Sequence, residues 1–166
     1  AGFILSIGMA VDSNILIYVI NADSPKNKIA QEFLRENLND LEITHQNILE
    51  TIRVLTHQKF SKPMGLKSAL TAIQAISQSC RIISPTQTTY FLWLELVNKY
   101  ELIGNRIFDA YLAATALSNG INILATDNVS DFLFASCEES VENLLKENIS
   151  RKKIFFVGDI MIDSLV

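Results

Sequence analysis

An α/β fold, with a mostly parallel sheet carrying helices on both faces, is what this sequence predicts. Short apolar runs alternate with longer stretches of helical periodicity, and successive runs are separated by one or two such stretches. Strands joined in that way need crossover connections, and crossovers cover both faces of a sheet. Neither repeats nor low-complexity segments interrupt the pattern. With 166 residues, 49% hydrophobic and 19% charged, the chain suits one domain with a sizeable core.

Met9-Ala-Val-Asp12 ends a first short strand. Ser24-Pro25 opens a helix to about Asn39, with Ile29, Phe33 and Leu38 on one face. Leu41–Thr44 is a second strand, and a helix follows over about Asn47–Lys59 with Ile48, Ile52 and Leu55 as its buried stripe. The next helix spans about Leu66–Gln78, before a third strand at Arg81–Ser84. Thr86–Leu102 and Ile107–Asn119 are helical, the second stopped by Gly120 at a C-cap position. Ile121–Ala125 is a fourth strand, Glu138–Asn148 a helix, and Lys153–Val157 a fifth strand. The prolines, Pro25, Pro63 and Pro85, fall at loops or helix starts.

No apolar run approaches the roughly 20 residues of a membrane span, so no membrane association is expected and cytoplasm is the default compartment. Residues 1–8 are apolar without a basic start or cleavage site, which suggests a leader or cloning remnant and not a signal peptide. Two cysteines, Cys80 and Cys137, support neither a disulfide framework nor a thiolate zinc site. His45 and His57 are too few for a histidine-based cluster. The net charge of −4 argues against an all-over basic nucleic-acid binder. Local guidance of a phosphate backbone by Arg53, Lys59, Lys62 and Lys67 stays open beside a plain solvated face.

Chemistry concentrates in carboxylates. In parallel sheets, sites form beyond the carboxyl ends of the strands. Asp12 follows strand one, Asp127 follows strand four, Glu50 lies in the opening turns of a helix, and Asp109 sits in a first helical turn among Phe108, Ala110, Tyr111 and Leu112. An aspartate in apolar company is costly to bury without a compensating cation or donors. Such acids converge if their strands are neighbours, and a hard cation such as Mg²⁺ needs only two or three of them. It would then polarise a phosphoryl oxygen. Each acid also has a structural use. Asp12 suits an N-cap, Glu50 could complement a helix dipole, and Asp127 with Asn128 could form a turn. Asp109 is harder to explain that way, because Asn105 already offers a cap.

The order of these segments carries a resemblance. Val11-Asp-Ser-Asn-Ile-Leu-Ile-Tyr18 resembles the opening motif of PIN domains, Ile107-Phe-Asp-Ala-Tyr-Leu-Ala-Ala-Thr-Ala-Leu117 their second, and Ile123-Leu-Ala-Thr-Asp-Asn-Val-Ser-Asp-Phe132 their third. Glu50 matches the intermediate acid. The resemblance implies a three-layer α/β/α sandwich with about five strands, binding Mg²⁺ (or Mn²⁺) and cleaving RNA to 5′-phosphate and 3′-hydroxyl ends. It implies a toxin of a VapC-like toxin–antitoxin pair, restrained by a small antitoxin and commonly a homodimer. By position, Asp12 and Asp109 are the primary metal ligands, Glu50 is a ligand or orients the attacking water, and the fourth acid is Asp127 or Asp131. Ser13, Asn14, Thr126 and Asn128 would give supporting hydrogen bonds.

The ending departs from that pattern. From about Ser130, the chain is similar to an internal stretch of non-hydrolysing UDP-N-acetylglucosamine 2-epimerases, about 35 residues long by the notional junction inside Thr126–Phe132. A fusion or truncated gene product is one account, a chance similarity in a nuclease tail the other. The expected organisation is a nuclease domain over 9–133 and a helix–strand tail over 134–166 completing or flanking it, without epimerase activity. His45 and His57 are expected to be incidental and Trp93 a core or dimer contact. The main rival is a catalytically inactive PIN-fold protein that binds RNA or a partner, disfavoured by the intact acids. A phosphatase built on Asp12 wants a second Asp where Asn14 stands, and a sugar-nucleotide enzyme has only the tail in support.

Overall fold

The computed structural model describes residues 8–60 and 62–126, with the backbone of two short strands at 133–135 and 154–156. In chain order its elements are β1 (Met9–Val11), α1 (Ser13–Ile20), α2 (Asn27–Glu36), β2 (Leu41–Thr44), α3 (His45–Thr56), α4 (Leu66–Ser77), β3 (Arg81–Ile83), α5 (Thr89–Lys99), α6 (Arg106–Ser118), β4 (Ile123–Ala125), β5 (Leu133–Ala135) and β6 (Ile154–Phe156). They divide into two compact units, Ala1–Ser84 with Ala125–Asp127, and Pro85–Leu124 with Asn128–Val166.

The main sheet has the order β3-β2-β1-β4. β1 pairs parallel with β2, Met9 opposite Leu41, and β2 parallel with β3, Ile43 opposite Ile82. The α/β class therefore holds, with four strands in this sheet among the described residues where about five were expected. The expected fifth strand exists as β6, but it pairs in parallel with β5 in a separate two-stranded sheet. β5 was not expected from the sequence, which suggested no strand between Ala125 and Lys153. The expected helix at 138–148 lies outside the described residues.

In the first unit, β2 is buried along its whole length, as are Ala10 and Val11 on opposite faces of β1. Val11, Leu16, Leu41, Ile43, Ile73 and Ile76 form the core, joined by Phe33 and Leu34 of α2 and Ile48 and Ile52 of α3. Cys80 packs against this cluster, and burial pushes its thiol above the usual range. Among the described residues of this unit, one charge is buried. Glu42 on β2 is 5% exposed and pairs with Arg81 on the edge strand β3.

Helix ends follow local hydrogen bonding more than apolar periodicity. α2 begins at Asn27, not Ser24, because Ser24 spends its side chain on the Lys26 N–H in the preceding turn. It stops at Glu36, short of Leu38, where the Asn37 side chain turns back to the Phe33 carbonyl. α3 starts two residues before the expected Asn47. There the Thr44 hydroxyl accepts from the Asn47 N–H, while the Asn47 carbonyl oxygen accepts from the Thr44 N–H.

In the second unit, α5 and α6 share a core of Leu92, Leu96, Leu102, Ala110, Ala113 and Ala114. The Trp93 indole N–H donates to the Ile107 carbonyl (3.0 Å), so Trp93 ties the two helices together. Gly120 sits at φ +75°. Its N–H bonds Leu117 O, and the Ile121 N–H reaches Ala116 O, which is the double bond of a Schellman ending. Among the described residues, no helix is long and apolar enough to cross a membrane.

Candidate active site

β1 delivers Asp12 to the point where strand becomes helix. Asp12 stands at the N-cap of α1 with extended φ/ψ, yet its side chain makes no capping bond. Its carboxylate is engaged elsewhere. Oδ2 accepts from the Thr126 hydroxyl at 2.8 Å, and Oδ1 lies 3.3 Å from the Ser13 hydroxyl. Thr126 is in reach because the Asp12 N–H bonds the Ala125 carbonyl (2.9 Å), which lays the end of β4 beside β1. Asn14 Nδ2 donates in turn to Thr126 Oγ1 (3.3 Å). A helix cap alone does not account for this aspartate.

Glu50 reaches the same place from α3. Ser13 Oγ donates to Glu50 Oε2 at 2.8 Å, across 37 residues of sequence. Since α3 begins at His45, Glu50 lies beyond the first turn, which holds no acidic residue. The helix-dipole explanation fails with it, because that effect is confined to the first turn. Ser13 is 9% exposed and has one hydroxyl proton for two carboxylates. The shorter contact to Glu50 takes it, and Asp12 is held by proximity and by Thr126.

The second oxygen of Glu50 is held too. Gln46 Nε2 donates to Oε1 at 3.0 Å from one helical turn earlier. Gln46 was not singled out in the sequence, where a glutamine four residues before a glutamate is an ordinary surface pattern. Only the partner at the other oxygen sets it apart.

The structure thus brings Asp12, Ser13, Asn14, Glu50 and Thr126 into one hydrogen-bonded group within the first unit. Asp109 belongs to the second unit, in the first turn of α6. It is half-buried and its neighbour Phe108 is 58% exposed, so its setting is less apolar than the sequence suggested. Asn105 occupies the N-cap of α6 without a side-chain capping bond. Asp127, Asn128 and Asp131 lie outside the described residues. Among the described residues, no group of three or more His, Cys, Asp or Glu side chains is gathered for a metal. His45 and His57 are exposed, as are Arg53, Lys59, Lys62 and Lys67, and Lys62 pairs with Asp23 at 2.9 Å.

Comparison with known proteins bears on the family and the fold. The model of the PIN domain matches residues 9–132, and that of UDP-N-acetylglucosamine 2-epimerase matches residues 103–166. Ribonuclease VapC43 of Mycobacterium tuberculosis is 28% identical over 125 residues, covering 72% of this chain and 85% of that protein. A UDP-N-acetylglucosamine 2-epimerase of Methanocaldococcus jannaschii is 46% identical over 44 residues, which is 26% of this chain but 12% of the epimerase. Among solved structures, VapC20 of Mycobacterium tuberculosis, described as a Sarcin-Ricin loop cleaving toxin, superposes with a TM-score of 0.59 at 17% identity, over 73% of this chain and 91% of that one. VapBC2 from Rickettsia felis, solved on a DNA fragment from its promoter, gives 0.53 at 22% identity, over 73% and 87%. These structural likenesses speak for the fold. The family rests on the matched span of sequence, from the strand that precedes Asp12 to the segment after β4, and by that span the chain belongs to the PIN domain family.

Proposed function

We propose that this protein is an endoribonuclease dependent on Mg²⁺ or Mn²⁺, acting as the toxin of a toxin–antitoxin pair. The observation that carries the reading is the meeting of Asp12 and Glu50 at one serine hydroxyl, from elements 37 residues apart. The donor set suits a hard divalent cation, since every group on offer is an oxygen and two are carboxylates. Asp12 and Glu50 would hold it, with Asp109 and either Asp127 or Asp131 as further ligands. When bound, such a cation supplies Lewis-acid polarisation of a phosphoryl oxygen.

The chain's own residues do the positioning. Thr126 fixes the Asp12 carboxylate, with Asn14 behind Thr126, while Ser13 fixes that of Glu50. Glu50 orients a water for in-line attack on phosphorus. The new P–O bond forms as the bond to the 3′-oxygen breaks; the attacking water releases one proton to solvent and the departing 3′-oxygen takes one up from it, leaving a 5′-phosphate and a 3′-hydroxyl. The partners proposed are RNA, a small antitoxin and a second copy of the chain, in the cytoplasm. A nuclease domain over 9–133 with a tail over 134–166 is the organisation we favour. The epimerase-like stretch covers 12% of the epimerase it matches.

Purified protein should cleave single-stranded RNA with Mg²⁺ or Mn²⁺ and stop when chelator is added. Asp12→Asn and Asp109→Asn should each abolish cleavage. If both cleave as fast as the parent, the nuclease reading is wrong. Induced expression should arrest growth, and harmless expression of cleavage-competent protein would remove the toxin role alone.

A further inference from the structure

We infer that Gln46 is a positioning residue for the divalent cation, acting through Glu50; this rests on the nuclease reading above. Asp12 is short and sits at the end of a buried strand, so little freedom has to be removed from it. Glu50 is longer and comes from the second turn of α3, and one hydrogen bond would leave its carboxylate free to rotate about that bond. Ser13 holds Oε2 at 2.8 Å and Gln46 holds Oε1 at 3.0 Å. Two donors on opposite oxygens fix the plane of the group.

Both donors are neutral, which matters beside a second carboxylate. A lysine or arginine at position 46 would also restrain Glu50, but would cancel the charge a cation needs. An amide orients without neutralising. One hydrogen bond per oxygen also leaves lone pairs on each oxygen for a cation. Gln46 is half-buried, so its bond competes less with water than a surface pair would. Outer-shell donors of this kind set the orientation and basicity of a ligand, and their loss commonly lowers metal affinity by about 10–100-fold.

A glutamine–glutamate pair at this spacing can also serve only to stabilise a helix, so the test must separate the two roles. Mn²⁺ is titrated calorimetrically into chelator-stripped full-length protein for the parent, Gln46→Met, Glu50→Ala and the double variant. Gln46→Met should weaken Mn²⁺ binding about 10-fold in the parent. In the Glu50→Ala background it should change binding less than about 2-fold, because the two effects share one route. Melting in chelator checks folding, and Gln46→Ala, which keeps a strong helix former, is read in the same way should Gln46→Met misfold. No loss in the parent, or an equal loss in both backgrounds, overturns the inference. Binding that vanishes in Asp12→Asn but ignores Gln46→Met sinks the role of Gln46 and spares the nuclease reading. A parent that takes up no Mn²⁺ sinks both.

Discussion

Ser13 is the residue at which the two carboxylates meet. Its hydroxyl lies within 2.8 Å of Glu50 and 3.3 Å of Asp12, and the side chain is buried against both. Ser13→Ala leaves the backbone of α1 untouched and removes only the bridge. Cleavage should fall by about 10–100-fold, the usual cost of removing an outer-shell donor, and Ser13→Thr should recover much of it. Rates on a labelled RNA, beside melting curves, would show this. An alanine variant as fast as the parent would mean that the bridge does not matter to turnover. Asp12, Ser13, Asn14, Glu50 and Thr126 were all legible in the sequence, because their motif contexts survive in linear order. Which atoms they share was not. Gln46 was invisible, since its meaning depends on a partner on a distant element.

At the scale of elements, the capping chemistry of α3 decides where Glu50 points. Thr44 and Asn47 satisfy each other's backbone N–H groups, and both are at most 2% exposed. The sequence reading placed the start of this helix two residues late, because it followed the apolar stripe and the reciprocal residue is Asn in place of the commoner Glu or Gln. Thr44→Ala should destabilise the protein by about 1–2 kcal/mol. A shift in the chemical denaturation midpoint would measure it, and an unchanged midpoint would mean that α3 holds its start without the cap. Gly120 shows the opposite case. Its role as a helix stop could be read directly, since a glycine after a periodic run predicts a left-handed backbone, and φ is +75°. Gly120→Ala has room for its methyl group but strains that backbone, so a loss of about 1 kcal/mol is expected.

For the molecule as a whole, the α/β class followed from alternation of short apolar runs and helices, which local sequence displays well. Strand partnership is a long-range property. The segment at 154–156 was recognised as a strand, but its pairing with β5 outside the main sheet had no local signal. If native protein alone holds the cation, metal should raise the stability of the fold. At 100 times the dissociation constant the gain is about 2.7 kcal/mol. Melting with Mn²⁺ against chelator should therefore separate clearly for the parent and coincide for Asp12→Asn. A parent whose two curves coincide has no such linkage.

The pair of Glu42 and Arg81 imposes a direction on how this sheet can change over generations. The acid is buried, while the arginine side chain is 66% exposed at the edge. Losing Arg81 first strands a carboxylate in the interior, at about 1–3 kcal/mol, less than for a fully buried pair because the arginine end is in water. Losing Glu42 to leucine first leaves a cation that water accepts at little cost. Arg81→Met should therefore lower the melting temperature far more than Glu42→Leu, and adding Glu42→Leu to Arg81→Met should restore it. Drift away from this ion pair is then a one-way street, open to lineages that shed the acid before the base.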